Sequence, residues 1–137
     1  MCDSLWPQIQ PDYEDSPKGI LQKQIEYLNQ SANGQIWGEL VLTDGTNYET
    51  KKSLKEDVGG STDDVCHKLY ITAKAKGNVR FLLVSVLQNP LETYPCHLKD
   101  EINDIEYRDI ETSADFIEKL GSALQSEKVT TLLKNLL

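Results

Sequence analysis

Apolar positions change their period several times along this chain, and each change marks an element. Ile20, Leu21, Ile25 and Leu28 lie on one stripe at helical spacing, the pattern of a helix with one buried face. Ser16-Pro17 precedes the stripe and Asn33-Gly34 follows it. A serine oxygen caps the first free N–H groups, proline at the first position gives up a donor that has no partner there, and a left-handed residue ends a helix at little cost. The period then shortens to two. In QIWGELVLTDGTNYET, Ile36, Leu40 and Leu42 take one parity and Trp37 and Val41 the other, which predicts a strand covered in part on both faces. Asp44-Gly45 is a tight-hairpin signal, so 46–50 is expected to pair back on this strand. Residues 51–64, with Gly59-Gly60 and a Ser-Thr-Asp-Asp run, read as a long loop.

HKLYITAKAKGNVRFLLVSVL is the best-defined unit. Two runs rich in apolar and β-branched residues flank the turn Lys76-Gly77-Asn78 and predict a hairpin. The second run, 79–87, is apolar at nearly every position, so it is expected at the centre of the sheet, with helices on one or both faces. Asn89-Pro90 ends it. A short strand at 94–98 follows, and Pro95 directs it toward an edge. DEINDIEYRDIE, at 100–111, carries six acids against one arginine. Isoleucines at 102, 105 and 110 make it a packed loop or strand and not a tail. Thr112 or Ser113, and then Ser126, cap two last helices. Their apolar sets are Phe116, Ile117, Leu120 and Leu124, then Val129, Leu132, Leu133, Leu136 and Leu137.

This order predicts an α+β fold: a mainly antiparallel sheet of four or five strands, with one N-terminal helix and two C-terminal helices packed on it. Residues 1–15 read as an extended arm with Trp6 or Ile9 packing on the body, and 16–137 as a single domain. A chain of 137 residues can build one core without a metal or disulfide.

Charge narrows the classes of partner. The net charge is −8, and the densest basic stretch, KKSLK, runs straight into Glu56 and Asp57. No basic stripe tracks a phosphate backbone, which argues against nucleic acid and against anionic membrane. No apolar run is long enough to span a bilayer. The start MCDSLWPQIQ has neither a basic leader nor an apolar segment, and the cysteine count is odd at three. Both point to free thiols in the cytoplasm.

Candidate chemistry begins with Cys66-His67 and Cys96-His97, since the only two histidines each follow a cysteine. Strand parity turns His67 and Cys96 toward the apolar side and Cys66 and His97 toward the more polar side. A closed zinc site needs four nitrogen or sulfur ligands. No CxxC or HxxxH spacing supplies them, so no metal and no cofactor are expected. Nor does the acidic stretch fit a calcium loop, because it lacks the bend glycine and has isoleucine at ligand positions. No nucleophile elbow or phosphate loop occurs, and no catalytic residue is assigned. One alternative is kept: a small thiol-dependent enzyme or ligand-binding domain using Cys66 and His97.

The leading expectation is a small, acidic, non-enzymatic protein-interaction module. Asp104, Glu106, Tyr107, Asp109 and Glu111 are its candidate partner-binding residues. Carboxylates there would steer a basic protein, while the aromatic and aliphatic side chains supply a desolvated centre. An immunity-type inhibitor or an accessory subunit has this charge logic. The apolar last helix adds a homodimer as a further expectation.

Overall fold

A computed structural model of the protein describes residues 4–7, 15–48, 63–74 and 77–137. The elements run α1 (Pro17–Ser31), β1 (Ile36–Asp44), a 3-10 turn (Gly45–Asn47), β2 (Val65–Ala73), β3 (Val79–Gln88), β4 (Cys96–Asp100), β5 (Ile105–Ile110), α2 (Ser113–Leu124) and α3 (Glu127–Leu136). All five strands form one sheet in the order β1-β2-β3-β4-β5, and every neighbouring pair is antiparallel. The fold is the α+β arrangement that the periodicity predicts.

Each helix starts where a side-chain oxygen meets a free backbone donor. The Ser16 hydroxyl accepts the Gly19 N–H at 3.0 Å, Thr112 accepts that of Asp115 at 3.1 Å, and Ser126 accepts that of Val129 at 3.3 Å. Such caps are each worth about 1 kcal/mol. Asn33 and Gly34, with φ of 50° and 78°, turn the chain from α1 into β1.

All three helices cover one face of the sheet. There Ile36, Leu69, Ile71, Val86 and Leu98 meet Leu21 of α1 and Phe116 and Leu120 of α2 in the main core. Two local devices shape this layer. Leu69 pairs with Val84 and Tyr70 with Leu82, so a bulge at Leu83 sends both Leu83 and Val84 into the core. Gly38 is the second device: a Cβ there would stand 2.9 Å from Ile25 Cγ1, so the missing side chain lets α1 sink onto β1. The Asn29 side chain, from the same helix, accepts the Gly38 N–H at 3.0 Å.

The structure corrects two local expectations and narrows two others. Asp44-Gly45 does not close a hairpin. Its carboxylate accepts the Thr46 N–H at 2.9 Å and caps the 3-10 turn, while the Gly45 N–H donates to the Asp64 carbonyl at 2.9 Å. Gly45 has no positive φ, which the tight hairpin turn would demand, and β1 pairs with β2 instead. Residues 49–50 of the expected return strand, and 51–62 of the expected loop, lie outside the described residues. Second, β4 is an interior strand. It begins at Cys96, so Pro95 stands outside the ladder and removes no donor from it; β1 and β5 are the edges. Third, of the one or both faces open to helices, the described helices take one, and no helix among the described residues covers the second. Tyr48 packs on Cys66 and Leu87 there instead. Fourth, Trp6 is 83% exposed and does not pack on the body, while Ile9 lies outside the described residues. What anchors the entry to α1 is the Tyr94 hydroxyl, which donates to the Asp15 carbonyl at 2.6 Å.

Candidate functional site

His67 and Cys96 face the helices: His67 pairs with Val86, and both Val86 and Cys96 belong to the main core. Cys66 and His97 occupy the helix-free face, as strand parity requires. They are not on neighbouring strands. Leu87 pairs with Cys66 on one side and His97 on the other, so two strand spacings, roughly 10 Å, separate thiol from imidazole. Cys66 is fully buried beneath Tyr48. Burial pushes its thiol upward, against a smaller opposing effect of the Thr43 hydroxyl, and a protonated thiol is a poor nucleophile. His97 is engaged elsewhere, its Nδ1 accepting the Asp109 N–H at 3.2 Å. On the other face, burial and then the Asp115 carboxylate push Cys96 up to about 12. Among the described residues, no group of three or more His, Cys, Asp or Glu side chains could hold a metal ion.

The next row of the helix-free face is built from charges. Ser85, Lys99 and Glu106 pair across β3, β4 and β5. Lys99 is buried, with Nζ 3.4 Å from Glu101 Oε1. The Ser85 hydroxyl donates to the other Glu101 oxygen at 2.7 Å. Glu106 Oε2 lies 3.9 Å from Arg108 Nε. Above this row the Tyr48 hydroxyl is buried with no hydrogen-bond partner among the described residues. Burial, followed by the carboxylates of Glu106 and Glu101, raises it well above the ordinary tyrosine value. These groups form an internally balanced ionic layer, and removing one partner of such a layer leaves a buried charge exposed to the full desolvation penalty. Tyr48, Ser85, Lys99 and Glu101 escape the sequence reading. A signal for part of this layer exists, since Lys68, Tyr70 and Thr72 in β2 and His97 and Lys99 in β4 take every second position.

The five partner-binding candidates do not share one surface. Asp104 lies in the β4–β5 turn, Asp109 in β5 and Glu111 just beyond it, and all three are exposed. Ile105, 40% exposed, follows Asp104 at the start of β5, whereas Asp109 and Glu111 stand at the far end, roughly 13 and 20 Å along the strand. Glu106, with only 4% of its side chain exposed, turns to the helix-free face beside Arg108. Tyr107 turns the other way, toward α2, where Lys119 Nζ stands 5.6 Å from its ring centre. The turn is held by Asp100, which is 1% exposed. Its carboxylate accepts the N–H groups of Ile102 at 3.1 Å and Asn103 at 3.0 Å and the Asn103 side-chain amide at 2.8 Å. That same amide lies 3.0 Å from the Ser126 hydroxyl that caps α3.

Asp109 has φ of 53°, and between the pairs Leu98–Tyr107 and Cys96–Ile110 the ladder slips by one residue. A bulge of this kind twists an edge strand and discourages another strand from adding to it. The β5 edge therefore presents side chains in preference to backbone. On α3, Val129 and Leu136 are buried, and Leu137 is 70% exposed.

No helix among the described residues is long and apolar enough to cross a membrane. Compared with known proteins, the chain matches no family model, no curated protein and no solved structure.

Proposed function

We propose that this chain is a non-enzymatic interaction module of the cytoplasm that binds a basic protein, in the manner of an immunity-type inhibitor or an accessory subunit. One observation carries the reading: on a bulged edge strand, Asp104 stands exposed beside the half-exposed Ile105 at one end, and Asp109 and Glu111 stand exposed at the other. Exposed carboxylates raise the encounter rate with a cationic partner, and an apolar side chain on the same edge supplies the part of the contact that loses water. Glu106 and Tyr107 support that surface from behind and do not touch the partner. Less of α3 is available for a homodimer, because Val129 and Leu136 face the core.

The thiol-based alternative draws no support from the geometry. Leu87 occupies the position between Cys66 and His97, and the thiol is buried and protonated.

The test is affinity capture of the tagged chain from its native host. Wild type recovers a protein of high pI, and raised salt weakens the complex. The triple variant Asp104→Asn, Asp109→Asn, Glu111→Gln binds about tenfold more weakly, at a few tenths to 1 kcal/mol per charge. Asparagine suits positions 104 and 109 because it tolerates the left-handed backbone found there. An unchanged complex with the triple variant refutes the assignment of this surface.

A further inference from the structure

Between α1 and α3, above the sheet, lies a cavity of about 230 Å³ that is half open to solvent. Leu69, Ile71 and Leu83 form its floor, and Leu28 and Leu133 face each other from the two helices. The space follows from how the helices are seated. Gly38 lets α1 sink onto β1, at the sheet edge farthest from β5. Asn103 ties the start of α3 to the β4–β5 turn. The two helices are thus anchored toward opposite edges of the sheet, and Leu83, at the bulge, forms part of the floor between them.

The chemistry of the lining selects among occupants. The floor of leucine and isoleucine carbons offers water no hydrogen-bond partner, so an apolar guest gains by displacing it. An anionic guest meets no cation among the described residues, since no described Lys or Arg lines the cavity, and the chain carries a net charge of −8. The space holds about seven or eight first-row atoms at roughly 30 Å³ each, so it admits a small molecule whole and a peptide by no more than a side chain. The polar groups in the lining are Gln24, Tyr27 and Ser31, and all three belong to α1. The Ser31 hydroxyl donates to the Tyr27 carbonyl at 2.9 Å, which leaves its oxygen lone pairs to accept. Any polar end of a guest is therefore recognised on one side only.

We propose that this cavity is a binding site for a small neutral amphiphile, an alkyl or aromatic body of about seven or eight heavy atoms ending in one uncharged hydrogen-bonding group. The body lies on Leu69, Ile71 and Leu83, and the alcohol, phenol or amide end meets Gln24 and Ser31. This site is independent of the β5 surface and stands whether or not that surface binds a protein.

The experiment is a titration of the full chain with straight-chain 1-alkanols from butanol to decanol, followed by methyl NMR of labelled Ile and Leu. Affinity is expected to rise about fourfold per added methylene and to stop rising once the cavity is full, near hexanol or heptanol. The responding methyls are those of Leu28, Leu69, Ile71 and Leu133, while the exposed Leu42 and Leu91 stay unmoved. Hexanoate binds at least tenfold more weakly than hexanol. Leu133→Trp, which fills the space from α3, abolishes hexanol binding. If that variant fails to fold, the wild-type length series decides. Affinity that climbs without a break through decanol, hexanoate equal to hexanol, shifts of equal size at Leu42 and Leu91, or no shifts at all, each overturns the proposal.

Discussion

Placing one methyl group on Gly38 tests the seating of α1 directly. The new Cβ would lie 2.9 Å from Ile25 Cγ1, 3.2 Å from Cγ2 and 3.4 Å from Cβ. Those atoms sit at the branch of the side chain and cannot swing away as a flexible tip would. Helix and strand must separate, and the separation also stretches the bond from Gly38 N–H to Asn29. Overpacking of this kind costs about 1–3 kcal/mol, and alanine regains roughly 0.5–1 kcal/mol of strand entropy over glycine. The expected net loss for Gly38→Ala is therefore about 1–2 kcal/mol, read as a lower urea midpoint at unchanged slope. Two partner variants locate the cause. Ile25→Val keeps both clashing γ carbons, so the loss should persist in that background. Ile25→Ala removes them, so Gly38→Ala should there become neutral or stabilising, with a coupling energy of about 1–2 kcal/mol. A Gly38→Ala loss of equal size in both backgrounds, or none in the wild type, would show that contact with Ile25 does not set the position of α1.

Three further perturbations probe other layers. His67 is 6% exposed, and burial, with Lys18 adding to it, holds its pKa below the ordinary histidine value despite an opposing bond from Gln88. The unfolded chain therefore binds a proton that the folded one refuses. Stability is full above the unfolded value near 6.5 and falls as pH drops toward the folded pKa, at no more than about 1.4 kcal/mol per pH unit; urea midpoints should show this slope in wild type, and an identical slope in His67→Gln would refute it. Asp100→Ala strips the β4–β5 turn of its acceptor and should cost about 2–3 kcal/mol by urea unfolding; a change below 0.5 kcal/mol, within the range of an ordinary surface substitution, would contradict the bonding described. Cys66 and Cys96 should resist a thiol reagent at neutral pH until the protein unfolds, as measured by peptide mass spectrometry. Modification of Cys66 in the native state at the rate of a model thiol would revive the thiol-based reading.

What was legible in the sequence was local or periodic. Ser16, Thr112 and Ser126 act on donors three residues away, so a short window contains the whole interaction. Parity placed His67 and Cys96 toward the helices because side chains in a strand must alternate. The misread positions were settled by distant partners. Asp44-Gly45 carries a hairpin signal, but β1 finds its partner in β2, after the 3-10 turn and the segment that follows it. Pro95 escapes the edge because the ladder of β4 begins one residue later. The acidic stretch looked like one surface, yet alternation sends Glu106 and Tyr107 to opposite faces. The bulge at Asp109, which no residue type announces, then resets the phase. Tyr48, expected in a return strand at 46–50, instead ends the 3-10 turn, and its burial depends on the distant Cys66 and Leu87.

The sequential order of the strands also has a kinetic meaning. Connections of five, seven and four residues join β2 to β3, β3 to β4 and β4 to β5, whereas twenty residues separate β1 from β2. Closing the longest of these loses about 1.4 kcal/mol more chain entropy than closing the shortest. Contacts between near neighbours along the chain form first, so the four-stranded meander is expected to zip together before β1 arrives, bringing α1 with it through Gly38. Opening should run in reverse, with β1 amides exchanging their hydrogens through a partial unfolding that leaves β3 intact. A ranking of exchange rates along the sheet would then recover its assembly history, strand by strand.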